Sequence, residues 1–124
     1  MTDPLAFGER ELDVMSVLWD LGSGTVAEVR DRLPTELAYT TVLTILRNLE
    51  EKGFVQHTTE GRAHRYAPSV ERRAARRSAV SRLIDTLFQG SPEQLLAHMV
   101  EERALSEEDL RRLRQQLKGL SDEE

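Results

Sequence analysis

The chain has 124 residues, no cysteine and a formal net charge of −5. Its length suits one compact domain of about 100 residues with a small addition. The absence of cysteine excludes a disulfide scaffold and a thiolate metal site, and it is typical of the reducing cytoplasm, where we expect the protein to act. We expect neither membrane insertion nor a secretory signal, because the sequence lacks a long apolar run and Met1–Pro4 is not a basic segment before an apolar stretch.

The charge is distributed unevenly along the chain. Residues 1–38 carry 3 Arg and Lys against 8 Asp and Glu, residues 39–82 carry 9 against 4, and residues 83–124 carry 5 against 10. The middle third is therefore positive and the outer thirds are negative. Because a local basic patch attracts phosphates even on an acidic chain, this composition is compatible with nucleic-acid binding.

The amino-terminal third predicts two helices. Apolar residues at helical spacing predict a first helix from Glu9 to Leu21. Its expected inward residues are Leu12, Met15, Leu18 and Trp19. The segment Gly22–Gly24 ends this helix. Thr25 and Glu28 have the spacing of a capping box that opens a second helix, and Pro34 stops it.

A third helix is predicted from Tyr39 to Lys52, followed by a helix-ending Gly53. Its expected buried stripe consists of Val42, Ile45, Leu46 and Leu49. The opposite, polar face carries the residues expected to contact base edges or phosphates, namely Thr40, Thr44, Arg47 and Asn48. Thr41 at its flank either reaches a phosphate or caps the turn, and Leu43, expected to be exposed, either touches a thymine methyl group or packs on the neighbouring turn. Taken alone, such a helix also suits an ordinary solvated surface.

A β-hairpin is predicted after this helix, because residues 54–58 and 63–67 change to a period of two around a turn at 59–62. Pro68 closes the hairpin. Three helices and a hairpin over residues 5–68 make a winged helix-turn-helix DNA-binding domain the expected fold. On the hairpin, Arg62, His64 and Arg65 are candidate DNA contacts. Strand alternation places Arg62 and His64 on one face and Arg65 on the other, and Arg62, at the turn, is the strongest candidate.

Residues 69–120 predict a helical dimerisation domain, and residues 121–124 a disordered acidic tail. Helices are expected from Val70 to Phe88, after Ser91 and after Ser106. Such short helices cannot bury their apolar stripes alone, so a homodimer is expected. The expected interface residues are Val80, Leu83, Ile84, Leu87, Leu95, Leu96, Met99, Leu110, Leu113 and Leu117.

Other side-chain clusters give fewer indications of function. The arginines at positions 72, 73, 76 and 77 suit either phosphate contact or pairing with acidic residues of the partner subunit, and the sequence leaves both open. No cofactor or metal is expected, because His57, His64 and His98 lack the spacing of a ligand set. An enzyme is not expected either, since no nucleophile–base motif and no glycine-rich phosphate loop occurs.

The chain resembles the penicillinase-repressor family of bacterial transcriptional regulators, the BlaI/MecI type. The resemblance covers about residues 5–120 and rests on stretches that follow one another in order, namely Glu11–Trp19, Thr40–Gly53, Gly61–Pro68 and Leu105–Leu110. It implies a mainly α protein with a small β wing. It also implies a homodimeric repressor on a palindromic operator, typically of β-lactamase or penicillin-binding-protein genes.

The resemblance further implies regulation by a membrane sensor protease. Such a protease cuts one helix of the dimerisation domain, which is Gln94 to Arg103 here, at a bond that corresponds to His98–Met99. The weakened dimer then releases the operator. Well-known members have Asn-Phe at that bond, and many relatives have a basic residue in place of Leu43. The copper-responsive branch has a carboxy-terminal cysteine cluster that this chain lacks, so copper sensing is not expected.

Two other functions are compatible with the same pattern. One is a winged-helix regulator that binds a small molecule at its dimer interface. The other is a winged-helix protein-interaction module that does not bind DNA, because fold alone does not determine function. The positive middle third argues against the interaction module, since such a module does not need that charge.

Overall fold

Six helices and three short strands make up residues 7–122, the part of the chain that the computed structural model describes, with side chains described up to residue 120. In chain order the elements are α1 (Glu9–Leu21), β1 (Gly24–Thr25), α2 (Val26–Arg32), α3 (Tyr39–Glu51), β2 (Val55–Glu60), β3 (Ala63–Pro68), α4 (Arg72–Leu87), α5 (Pro92–Glu101) and α6 (Glu107–Asp122). The fold is mainly α with a small β-sheet, as predicted. Contacts divide the chain into two units, the first ending at Val80 and the second beginning at Ser81, so the division falls inside α4. The start of the predicted first domain, Leu5 and Ala6, lies outside the described residues.

Local signals in the sequence account for the ends of the first helices. The N–H of Gly8 donates to Glu11 Oε1 at 2.9 Å at the start of α1. Thr25 Oγ1 accepts from the N–H of Glu28 at 3.3 Å, so the Thr25 half of the predicted capping box at the start of α2 is confirmed. The predicted bounds of α1 also agree with the structure.

The core of the first unit lies between α1, α2, α3 and the base of the hairpin. Its buried residues are Val14, Met15, Val17, Leu18, Val26, Val29, Val42, Leu46, Leu49, Phe54, Val55 and Tyr66. The predicted inward stripe of α1 was partly wrong, because Leu12 is 46% exposed. Trp19 is half-buried at the edge of this core, and its Nε1–H donates to the carbonyl of Val70 at 2.9 Å. Burying each large apolar side chain contributes about 1.5–3 kcal/mol to folding.

The three strands form an antiparallel sheet in the order β1-β3-β2. The register of β2 and β3 runs from Val55 opposite Pro68 to Glu60 opposite Ala63. The turn therefore holds only Gly61 and Arg62, not the four predicted residues. The two-residue strand β1 pairs with β3 and was not predicted, because so short a segment has no visible period.

The first half of α4 is held within the first unit. Arg72 Nη2 donates to the carbonyl of Ser16 at 3.1 Å and to Asp20 Oδ1 at 2.7 Å, and Ala75 is buried. Of the four clustered arginines, Arg72 is thus already engaged by α1. The other three, at positions 73, 76 and 77, are exposed and form no ion pair within residues 7–120.

The second unit contains the end of α4 together with α5 and α6. Ser91 Oγ accepts from the N–H of Gln94 at 3.3 Å and opens α5, while Ser106 and Asp109 cap α6 reciprocally. Helix α6 continues to Asp122, so the first half of the predicted disordered tail is helical, and residues 123–124 lie outside the described range. None of residues 81–120 is buried. No helix between residues 7 and 122 is long and apolar enough to cross a membrane.

Candidate nucleic-acid interface

Helix α3 presents the polar face that its sequence predicts. Val42, Leu46 and Leu49 are fully buried and fix the helix on the core. Their burial turns the opposite face outward, since successive side chains rotate by about 100°. The five polar residues predicted to contact DNA from this helix are all exposed, namely Thr40, Thr41, Thr44, Arg47 and Asn48.

The side chains of this face differ in the hydrogen bonds and ion pairs that they form within the protein. Thr44 Oγ1 donates to the carbonyl of Thr40 at 2.9 Å, which leaves its lone pairs to accept a hydrogen bond from a base amino group. The Arg47 guanidinium has no hydrogen-bond or ion-pair partner among the residues that the structure describes. An uncommitted guanidinium suits bidentate contact with guanine or with a phosphate.

Leu43 does not match its prediction. It is half-buried and packs against the core, so the expectation that it is exposed was wrong. Ile45, on the other flank of α3, is half-buried in the same way. Of the two roles left open for Leu43, the structure favours packing over contact with a thymine methyl group.

The two hairpin arginines occupy different surroundings. Arg62 is exposed in the turn at the tip of the wing, the hairpin of β2 and β3. Arg65, in β3, is half-buried. Its guanidinium is bound by Glu28 at 3.0 and 3.3 Å, by Glu60, and by Ser23 Oγ at 3.3 Å. These partners argue against the predicted DNA contact of Arg65 and leave Arg62 as the candidate on the wing.

One face of the wing packs against the last turn of α3. His57 Nδ1 lies 2.6 Å from Glu50 Oε2, and the rings of His57 and His64 stack with their centroids 4.3 Å apart. Tyr66 is buried beneath them, where burial and the nearby Glu50 raise the pKa of its hydroxyl. The part of the chain with described side chains contains no group of three or more His, Cys, Asp or Glu that could hold a metal ion.

One pair of side chains beside the start of α3 was not predicted. The guanidinium carbon of Arg30, in α2, lies 6.0 Å from the ring centroid of Tyr39, the first residue of α3. Both residues are exposed, and Arg30 Nε also lies 3.7 Å from Asp31 Oδ1. The pair therefore adds an aromatic ring and a partly balanced positive charge beside the start of α3. Sequence spacing does not reveal this pair, because a linker without regular structure separates α2 from α3.

Comparisons with known proteins agree with this geometry. The family model described as penicillinase repressor matches residues 7–119. The transcriptional regulator BlaI of Mycobacterium tuberculosis is 37% identical over 109 residues, which cover 82% of this chain and 77% of that protein. The penicillinase repressor of Bacillus licheniformis is 27% identical over 109 residues, which cover 86% of this chain and 85% of that protein.

A solved structure also matches the DNA-binding part. The solution structure of the DNA-binding domain of the repressor BlaI aligns with a TM-score of 0.52 and 31% identity, covering 58% of this chain and 90% of that domain. The winged-helix fold and the resemblance inferred from the sequence are thereby confirmed. This chain belongs to the penicillinase repressor family and is a DNA-binding transcriptional repressor.

Proposed function

We propose that this protein is a homodimeric cytoplasmic repressor that binds a palindromic operator through α3 and the wing, and that proteolysis releases it. The observation that carries the proposal is the exposed polar face of α3, which includes the guanidinium of Arg47. In this arrangement Thr40, Thr44 and Asn48 contact base edges or phosphates, and Arg62 follows the DNA backbone from the wing tip.

The apolar side chains of the second unit support a dimer. Ile84, Leu95 and Met99 are only half-buried. The other predicted interface residues are exposed in the single chain, namely Val80, Leu83, Leu87, Leu96, Leu110, Leu113 and Leu117. Clustered leucines left in water are costly at about 25 cal/mol per Å², so a second copy that covers them supplies the missing core.

Release by proteolysis follows from the linkage between the two half-sites. Two DNA-binding units on one dimer bind with an effective concentration that separate monomers lack, so cutting the dimerisation domain weakens operator binding without altering a DNA contact. The bond His98–Met99 lies in α5. We propose a membrane sensor protease as the agent, and α5 must unwind locally before an extended substrate site can form. β-Lactamase or related antibiotic-response genes are the proposed targets.

The test is fluorescence anisotropy with labelled DNA from upstream of the protein's own gene, beside a shuffled duplex, at several salt concentrations. The wild-type protein should bind the first duplex selectively, and binding should weaken steeply with salt because phosphate contacts release counterions. Arg47→Ala should weaken binding at least about tenfold, since each half-site then lacks a base or phosphate contact.

Arg111→Ala is the matched control, because Arg111 is an exposed arginine of α6 outside the proposed interface. It should bind as the wild type does. Equal and weak binding of the wild type to both duplexes would mean that this DNA contains no operator. Unchanged affinity of Arg47→Ala, with the wild type selective, would remove α3 from its proposed role.

A further inference from the structure

We propose that Arg65 is a positioning residue for the wing: it joins the hairpin to the start of α2 and thereby sets where Arg62 meets the DNA backbone. This inference rests on the function proposed above, since it assumes that the wing contacts operator DNA. It replaces the direct DNA contact that the sequence predicts for Arg65.

The geometry around Arg65 connects three separate segments of the chain. Its Nη2 donates to Glu28 Oε1 at 3.0 Å and its Nη1 donates to Glu28 Oε2 at 3.3 Å, a two-point contact with the first turn of α2. Its Nε donates to Glu60, which precedes the turn of the wing. Its Nη1 also donates to Ser23 Oγ in the loop after α1 at 3.3 Å. A planar guanidinium with five donors suits such a junction, whereas the single ammonium of a lysine does not.

The charges around Arg65 also favour a positioning role over a DNA contact. Two carboxylates face one guanidinium, so little positive charge is left for a phosphate. The hydrogen bond from Arg65 lowers the pKa of Glu28, which keeps this carboxylate charged and paired. Arg62 has no ion-pair partner within the described chain and stands three residues away at the wing tip. We therefore assign the contact with the DNA backbone to Arg62 and the positioning of the wing tip to Arg65.

The position of the contact between Arg65 and Glu28 explains why it matters for DNA recognition. Thr25, which caps α2, pairs with Arg65 in the sheet. Helix α2 packs against α3, the helix with the exposed polar face. A link from β3 to α2 therefore fixes the wing relative to α3. Without this link the wing is attached mainly through its base. Its tip then samples more conformations in the free protein, and ordering the tip on DNA costs more conformational entropy.

The decisive variant is Glu28→Gln, measured by operator anisotropy. It removes a negative charge from the DNA-binding unit, so simple charge attraction predicts tighter binding. The positioning role predicts the opposite, a several-fold loss of affinity, because Arg65 loses its two-point partner. Glu36→Gln is the matched control, since Glu36 is exposed, lies in the linker before α3 and has no ion pair within residues 7–120. Its affinity should stay equal or rise.

A double-mutant cycle with Arg62 tests whether Arg65 acts through the wing tip. Arg65→Ala alone should weaken operator binding at least about tenfold, because the wing tip then no longer holds Arg62 against the DNA backbone. In an Arg62→Ala background it should add little further weakening and leave the salt dependence of binding unchanged. A direct phosphate contact by Arg65 would instead lower the salt slope further in the double variant, by about 1 for each half-site. That result would overturn the proposal.

A measurement without DNA separates this inference from the proposed function. Amide hydrogen exchange in β2 and β3 should become faster in Arg65→Ala and Glu28→Gln but not in Arg62→Ala. If the wild type does not bind DNA selectively but this exchange pattern is observed, the proposed operator binding is rejected, while the role of Arg65 in attaching the wing to α2 is kept. Unchanged exchange in Arg65→Ala, or Glu28→Gln binding the operator as tightly as wild type, would reject the positioning role. If Arg65→Ala does not fold, the operator affinity and the amide exchange of Glu28→Gln still test the positioning role of Arg65.

Discussion

At the scale of single residues, the Glu11 carboxylate connects the start of α1 to the end of α3. Lys52 Nζ donates to its two oxygens at 2.9 and 2.8 Å, and the N–H of Gly8 donates at 2.9 Å. Burial opposes the charge on Glu11, but these hydrogen bonds and the charge of Lys52 outweigh it and lower the pKa. A carboxyl with a lowered pKa in the folded state stabilises the fold above its ordinary pKa, and this contribution is lost as the pH falls through the folded value.

We therefore expect Glu11→Gln to lower the free energy of unfolding at neutral pH by about 1 kcal/mol or less, because Lys52 is well exposed to solvent. The difference from wild type should shrink as the pH falls below the ordinary glutamate value of 4.5. Urea unfolding at several pH values, followed by the fluorescence of Trp19, measures it, since Trp19 is the sole tryptophan. Glu36→Gln serves as control. Identical pH profiles for Glu11→Gln and wild type would contradict the expectation.

The predicted DNA-binding residues show how far single positions can be assigned from sequence. The helical period correctly predicted which polar side chains of α3 are exposed, because the period depends on nearby residues alone. The same reasoning failed for Arg65. Strand alternation predicts the face on which it lies, but its main partner, Glu28, stands 37 residues earlier in the chain. Partners so far apart in sequence come together only through the pairing of β1 with β3.

At the scale of elements, the connection from α3 to β2 depends on Gly53. The N–H of Phe54 donates to the carbonyl of Leu49 at 2.9 Å, and the N–H of Gly53 donates to that of Glu50 at 3.0 Å. This pair of bonds is the Schellman ending of a helix, with Gly53 at a φ of +87°. Phe54 and Leu49 are both buried, so the ending also directs the chain from the core into the wing.

Gly53→Ala should destabilise the first unit by about 1 kcal/mol, because a side chain at this φ strains the backbone. A Cβ at this position would meet no heavy atom within 4 Å beyond its two chain neighbours, so the cost comes from the backbone conformation. The urea midpoint of Trp19 fluorescence measures it. Gly119→Ala in α6 is the control and should leave this midpoint unchanged. A midpoint for Gly53→Ala equal to that of wild type would contradict the argument.

The elements differ in how well the sequence predicts them. Helices α1 and α3 each have 13 residues, several turns with a repeated apolar stripe, and their predicted bounds lie within a residue of the structure. Strand β1 has two residues and exists only because β3 lies beside it, so no local pattern could predict it. The hairpin was predicted, but its turn is tighter than expected because β2 continues to Glu60. Local periodicity therefore predicts elements of several turns better than pairing between strands.

At the scale of the whole molecule, we expect affinity for an operator to depend on the apolar surface of the second unit as well as on the DNA contacts of the first. The first unit has a buried core, whereas residues 81–120 bury no side chain in the single chain. Folding of the second unit and association are therefore expected to be coupled, since most of its apolar surface has no other cover. In the proposed dimer, the two α3 helices bind two half-sites together, and the gain from this linkage is about 10²–10⁴-fold for two sites that a linker can span.

Leu113→Asp tests this linkage, because it places a charge on the apolar stripe of α6 while leaving the first unit unchanged. Leu113 is 40% exposed in the single chain and lies outside the buried core, so the first unit should still fold in this variant while the second units fail to associate. Sedimentation should show a dimer for wild type and a monomer for this variant, and operator affinity should fall about 100-fold or more, as we expect after the proposed proteolysis. Leu83→Asp in α4 should act in the same way. Gln115→Asp, on the opposite side of α6, should remain a dimer with wild-type affinity. A monomeric Leu113→Asp that still binds the operator as tightly as wild type would show that a single winged-helix unit suffices.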